Sequence, residues 1–104
     1  MRLPCLGQYS INQKQLMRKC GYAEFRDPVT KKTSYVRLFH ARNYYPRFHV
    51  YLEETKSGFV VDLHLDQKKP SYGSSSAHAG EYDGPVVEQE LKRMFVIIRA
   101  HRTA

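Results

Sequence analysis

The sequence predicts an α+β fold in which an antiparallel sheet of about four strands is covered on one face by a C-terminal helix. First, apolar and polar residues alternate over residues 47–66, with the period of two that marks β-strands. Second, the spacing of apolar residues becomes helical from Pro85 onward. Third, 104 residues with 41% hydrophobic and 26% charged side chains fit one domain, residues 1–104.

A short helix and a first hairpin are predicted before that central hairpin, over residues 11–19, 22–26 and 33–39. Ser10 can cap the helix and Gly21 can end it. Between the two strands, Pro28 lies where a turn benefits from a fixed φ angle. The predicted order of elements is therefore α-β-β-β-β-α.

The central hairpin is predicted to have one apolar and one ionisable face. The side chains that share the apolar face are Phe48, Val50, Leu52, Phe59, Val61, Leu63 and Leu65. The side chains that share the opposite face are Arg47, His49, Tyr51, Asp62, His64 and Asp66. A four-residue connection over residues 54–57 pairs Glu53 with Gly58. This register predicts two pairs on the ionisable face, His49 with Asp62 and Arg47 with His64.

The C-terminal part combines a long polar loop with the surest helix of the chain. The loop spans residues 67–84, and loops of this length inside a compact domain tend to be functional or mobile. Gly84 and Pro85 begin the helix, because proline is favoured at the first helical position. The apolar stripe predicted to cover the sheet consists of Val87, Leu91, Met94, Phe95 and Ile98.

The charge of the chain is positive and unevenly distributed. The net charge is +7, and residues 1–50 hold ten lysines and arginines against two carboxylates. A basic half of this kind favours an anionic partner, and RNA or single-stranded DNA is the partner we expect. We expect a cytoplasmic protein without a membrane segment, since the sequence has no long apolar run and no signal-peptide pattern. Cys5 and Cys20 are then expected to be free thiols.

A set of basic and aromatic residues predicts a nucleic-acid-binding surface on the sheet. Rings on an open sheet face can stack on bases, while arginines neutralise phosphates. The residues of this set are Tyr35, Arg37, Arg42, Tyr44, Tyr45, Arg47 and Tyr51. Half-buried packing of the tyrosines is the alternative interpretation.

A second set predicts a metal site and, with it, an alternative function as a metal-dependent hydrolase or nuclease. His64, Asp66 and His78 combine imidazole and carboxylate donors that suit Zn²⁺ or Mn²⁺. An acid, one further residue and then lysine at a strand end, here Asp66-Gln67-Lys68, is typical of metal-dependent nucleases. The catalytic residues of this hypothesis are His49, Asp62, His64 and Lys68. A non-enzymatic protein-interaction module, docking a partner through the long loop, is a third hypothesis, so enzymatic activity stays open.

Three segments are similar to segments of a family of small bacterial proteins without an assigned function. They are YYPRFHVYLE, HLDQKKPSY and HAGEYDG, at residues 44–53, 64–72 and 78–84. The resemblance covers roughly residues 22–95. It implies no activity, substrate or cofactor.

Overall fold

The computed structural model describes residues 1–67, 80–81 and 84–104, and it confirms an α+β fold. The elements are β1 (Arg2–Leu6), α1 (Gln13–Lys19), β2 (Ala23–Arg26), β3 (Thr33–His40), β4 (Asn43–Thr55), β5 (Gly58–Asp66), β6 (Gly80–Glu81) and α2 (Pro85–Arg99). The strands form one antiparallel sheet in the order β1-β5-β4-β3-β2, and β6 pairs with the end of β5. Within the described ranges, neither helix has the length and apolar character needed to cross a membrane.

The sheet has two strands beyond the four that were predicted: β1, which forms an edge next to β5, and β6, which lies inside the predicted loop. Strand β1 contains Pro4, which cannot donate a hydrogen bond to a neighbouring strand. Met1 and Leu63 exchange both backbone hydrogen bonds, each 2.8 Å long. Bonded and non-bonded pairs alternate along antiparallel strands, so Pro4, paired with Val60, turns its nitrogen to the outer edge. No donor is needed there, and the strand tolerates the proline.

The predicted register of the central hairpin is wrong by two residues. Thr55, not Glu53, pairs with Gly58, and the connection contains only Lys56 and Ser57. A two-residue connection was not expected, because such turns favour glycine or asparagine at positive φ. The positive φ angle, 157°, falls instead on Gly58, where a side chain would come within 2.0 Å of the Cys5 carbonyl oxygen. Gly58 thus closes the turn and lets β1 approach.

The shift of two residues changes the partners on the ionisable face but not the face itself. His49 lies opposite His64, and Arg47 lies opposite Asp66. The predicted pairing of His49 with Asp62 is wrong, because Asp62 lies opposite Tyr51. Since side chains alternate with a period of two, an even shift preserves the apolar and ionisable faces.

The first helix begins two residues later than predicted. Asn12, not Ser10, is its N-cap, and the Asn12 side chain accepts a hydrogen bond of 2.8 Å from the Gln15 backbone nitrogen. The Gln15 side chain accepts one of 3.1 Å from the Asn12 nitrogen, which completes a capping box. This reciprocal pair satisfies two backbone donors, whereas Ser10 offers only one acceptor.

The C-terminal helix covers the apolar face of the sheet, as predicted, and α1 packs into the same core. The fully buried side chains of this core include Leu16, Met17, Val50, Val61, Leu63, Val87 and Met94. The predicted stripe of α2 is wrong at Phe95, which is 40% exposed. At 3.6 residues per turn, Phe95 lies roughly 70° from the centre of the stripe.

The two cysteines are free and buried, as expected. Burial raises the pKa of the Cys5 and Cys20 thiols to about 11. A thiol with such a pKa is a poor nucleophile at neutral pH, so both cysteines act as core residues.

A buried carboxylate joins α2 to the first hairpin. Glu90 is only 4% exposed at its side chain, and it accepts a hydrogen bond of 2.6 Å from the Tyr22 hydroxyl. Arg93 donates to it at 2.7 Å and 2.9 Å, and Arg37 at 3.4 Å. Burial alone would raise the pKa of Glu90, but the hydrogen bonds from Arg93 and Tyr22 outweigh it and lower that pKa.

We expect Glu90→Gln to lower the free energy of unfolding by about 2 kcal/mol at pH 7, because it breaks a buried charge network whose arginines are partly solvated. The matched control is Glu88→Gln, which removes an exposed pair with Lys92 and should cost less than about 0.5 kcal/mol. A carboxylate whose pKa is lowered in the folded state stabilises the fold at pH values above its pKa in the unfolded chain, which is about 4.3 for glutamate. The difference between wild type and Glu90→Gln should therefore shrink as the pH falls below about 4 in urea denaturation. Equal losses of unfolding free energy in Glu90→Gln and Glu88→Gln would contradict the stabilising role of the buried Glu90 carboxylate.

Candidate functional site

A cavity of about 340 Å³, lined by ionisable and aromatic side chains, lies on the face of the sheet opposite the helices. Its floor is the Asp66 cluster, which we define as Arg47, His49, His64 and Asp66. The other residues lining it are Phe25, Asp27, Pro28, Val29, Tyr45 and Tyr51. Phe25 and the turn after β2 reach over the sheet, so this face is only partly open.

The register of β4 and β5 creates the cluster. Arg47 and His49 are two residues apart on β4 and share a face, as do His64 and Asp66 on β5. The pairs Arg47–Asp66 and His49–His64 then lie next to each other on the two strands. Four ionisable side chains are therefore held by hydrogen-bonded backbone rather than by loops.

The carboxylate of Asp66 is the centre of this arrangement. Arg47 Nε donates to Asp66 Oδ2 at 3.0 Å, and His49 Nδ1 lies 2.9 Å from the same oxygen. His64 Nε2 lies 3.3 Å from Oδ1. Burial would raise the pKa of Asp66, but hydrogen bonding to His49, His64 and Arg47 outweighs it and holds that pKa well below its usual range.

The second ring nitrogen of His49 is held by a buried serine. His49 Nε2 lies 2.6 Å from Ser34 Oγ, and Ser34 also reaches the Phe25 carbonyl oxygen at 3.5 Å. The order Ser34–His49–Asp66 is that of a serine hydrolase. Ser34 is only 2% exposed, however, so its hydroxyl is shielded in this structure rather than presented to the solvent. Its role is to fix the orientation of the His49 ring.

Ser34 was not among the predicted site residues, because a serine within a strand does not by itself indicate a functional role. Alternation along β3 alone does not decide which of its two faces is buried. In the structure, Val36 lies opposite His49, so Ser34, two residues earlier, shares the face of that histidine. Only the pairing of β3 with β4 brings the two residues together.

Aromatic rings surround the cluster. The guanidinium of Arg47 lies between the rings of Phe25 and Tyr45, 5.2 Å and 4.7 Å from their centroids. The ring of Tyr51 stacks on His49 at 4.7 Å and on His64 at 5.7 Å. Contacts of this kind stabilise a buried arginine and fix the rings. The floor of the cavity is consequently a set of rigid side chains.

The structure brings together only part of the predicted site residues. Those that meet in the cavity are Tyr45, Arg47, His49, Tyr51, His64 and Asp66. Asp62 shares the face but lies beside the N-terminal amine and Arg2, at 3.8 Å from each. Lys68 and His78 lie outside the described residues, as does most of the loop that a partner was predicted to contact.

Two members of the predicted nucleic-acid surface lie on the other side of the sheet. Tyr35 is paired with Val50, and Arg37 with Phe48, so both share the helix-covered face. Arg37 contacts Glu90 there. Arg42 and Tyr44 are exposed near the connection between β3 and β4. The predicted surface is therefore divided, and its part on the ionisable face is the cavity.

Comparison with known proteins identifies no relative of this chain. No protein-family model matches it, and no curated protein or solved structure is significantly similar to it. The resemblance to small bacterial proteins stays a prediction. Function has to be inferred from the side chains of the cavity.

We expect Asp66→Asn to lower the free energy of unfolding by about 3 kcal/mol, because it leaves the buried guanidinium of Arg47 without its counter-charge. The matched control is Asp62→Asn, on the same face of the same strand but more exposed, which should cost less than about 1 kcal/mol. Urea denaturation at neutral pH measures both. Similar losses of unfolding free energy in Asp66→Asn and Asp62→Asn would show that the Asp66 cluster does not stabilise this face of the sheet.

Proposed function

We propose that the protein binds single-stranded nucleic acid, RNA or DNA, along the ionisable face of the sheet. The observation that carries this proposal is the stack of rings on that face. His49 and His64 are buried, and Tyr51, which stacks on both, is 39% exposed and so brings the stack to the surface. A rigid, partly exposed ring of this kind is a platform on which a base can stack.

Base stacking needs a ring whose position is fixed before the ligand arrives. Tyr51 is nearly parallel to His64, with an angle of 18° between the ring planes. Both histidines are oriented by Asp66. The ordering of Tyr51 is therefore part of the fold, which reduces the conformational entropy lost on binding.

Cations near this face support an anionic ligand. Lys31 and Lys32 are exposed and form no ion pair within the described part of the chain. Lys31 and Lys32 follow directly after the turn that lines the cavity. The carboxylate of Asp66 is compensated by Arg47 and two imidazoles, which limits its repulsion of phosphate.

Binding is tested with a labelled single-stranded 12-mer, as RNA and as DNA, by fluorescence anisotropy at low and at physiological salt. We expect affinity to fall as salt rises, since phosphate contacts release counterions. Tyr51→Ala should weaken binding by about 5- to 150-fold, which corresponds to about 1–3 kcal/mol for one stacked base. The matched control is Phe95→Ala, because Phe95 is equally exposed at 40% but lies on α2. No binding at low salt, or equal losses in both variants, would refute the proposal.

The charge contribution is tested by the double variant Lys31→Gln, Lys32→Gln. The slope of log K against log salt is negative, and we expect it to become shallower by about 1 for each lysine that contacts phosphate. The control is the double variant Arg18→Gln, Lys19→Gln, which removes the same charge from α1 on the helix-covered side. An identical change of slope in both would show that net charge alone, not the ionisable face, determines binding.

A further inference from the structure

We propose that His49, His64 and Asp66 bind a divalent transition metal ion, with His49 Nδ1, His64 Nε2 and the Asp66 carboxylate as ligands. One donor atom from each residue lies within 4.8 Å of the others, and both histidines are buried. Two imidazoles and one carboxylate are a recurrent protein ligand set for Zn²⁺ and Fe²⁺. This ligand set contains His49 in place of the predicted His78, which lies outside the described residues.

The distances between the donor atoms are close to those between ligand atoms around a bound metal ion. In a tetrahedral zinc site with bonds of about 2.1 Å, neighbouring ligand atoms are roughly 3.4 Å from one another. The observed separations from the Asp66 oxygens are 2.9 Å for His49 Nδ1 and 3.3 Å for His64 Nε2. Since all three donors lie within 4.8 Å of one another, binding would require side-chain rotations that bring these separations to about 3.4 Å.

Both ring nitrogens of His49 are held by polar partners. Nδ1 lies 2.9 Å from Asp66 Oδ2, and Nε2 lies 2.6 Å from Ser34 Oγ. In the metal-free protein Nδ1–H donates to the carboxylate, and an ion bound by Nδ1 and Asp66 would replace that proton. Ser34 Oγ can then accept the Nε2 proton.

The contacts outside the three ligands are those of a supported metal site. A ligating histidine usually donates its other ring N–H to a fixed acceptor, which Ser34 provides. Ligating carboxylates are themselves hydrogen-bonded, and Arg47 donates to Asp66 Oδ2 at 3.0 Å. The nitrogen donors favour a transition metal over Mg²⁺ or Ca²⁺, which prefer oxygen ligands. The inference does not depend on nucleic-acid binding.

The site is tested by titrating the chelator-treated wild-type protein with Co²⁺, whose visible d–d absorption reports coordination by the protein. We expect saturation at one equivalent and displacement by Zn²⁺. His64→Gln should abolish the absorption, while His40→Gln, which removes an exposed imidazole from β3, should leave it unchanged. A folded wild-type protein without this absorption, or with the same absorption in His64→Gln, would overturn the proposal.

Two further measurements leave all three proposed ligands unchanged. Long-range ¹⁵N–¹H spectra of the wild-type protein with Zn²⁺ identify the coordinating ring nitrogens, which should be Nδ1 of His49 and Nε2 of His64. Ser34→Ala should weaken Co²⁺ binding by about 10- to 100-fold, since the acceptor of the His49 N–H is lost. Coordination through other nitrogens, or unchanged affinity in Ser34→Ala, would refute the assignment. Oligonucleotide anisotropy of the metal-free protein tests the proposed function separately.

Discussion

The Asp66 carboxylate is the constraint on which the ionisable face depends. A single carboxylate accepts from one guanidinium and holds two imidazoles, and all of these groups are removed from most of the solvent. Buried charges are tolerated only when they are paired and hydrogen-bonded. The positions of Tyr51 and Tyr45 follow, because their rings pack on the histidines and the arginine that Asp66 fixes.

Alternation in β4 and β5 was sufficient to predict the fold class and the two faces of the central hairpin. The period of two survives any even error of register, which is why Val50 and Val61 are buried although their predicted pairing was wrong. The C-terminal helix was predictable for a similar reason, since Gly84 and Pro85 mark its start and four of its five stripe residues are buried. Strong local periodicity does not require knowledge of tertiary contacts.

The composition of the site was less predictable because it depends on contacts between distant segments. His49, His64 and Asp66 could be placed on one face, but the partner of each was set by a turn without glycine or asparagine in its two central positions. Ser34 is contributed by β3, and Phe25 by β2, whose sides relative to the hairpin were undetermined. Tyr35 and Arg37 were grouped with the wrong side for the same reason.

The proline at the sheet edge has a consequence for self-association. A strand added beside β1 would need donors and acceptors along its free border, and Pro4 offers only its carbonyl oxygen there. A neighbouring chain would lose a hydrogen bond at the middle of the strand, so growth of the sheet by template-like addition is disfavoured. Pro4 thus makes the β1 border a poor template for edge-to-edge association.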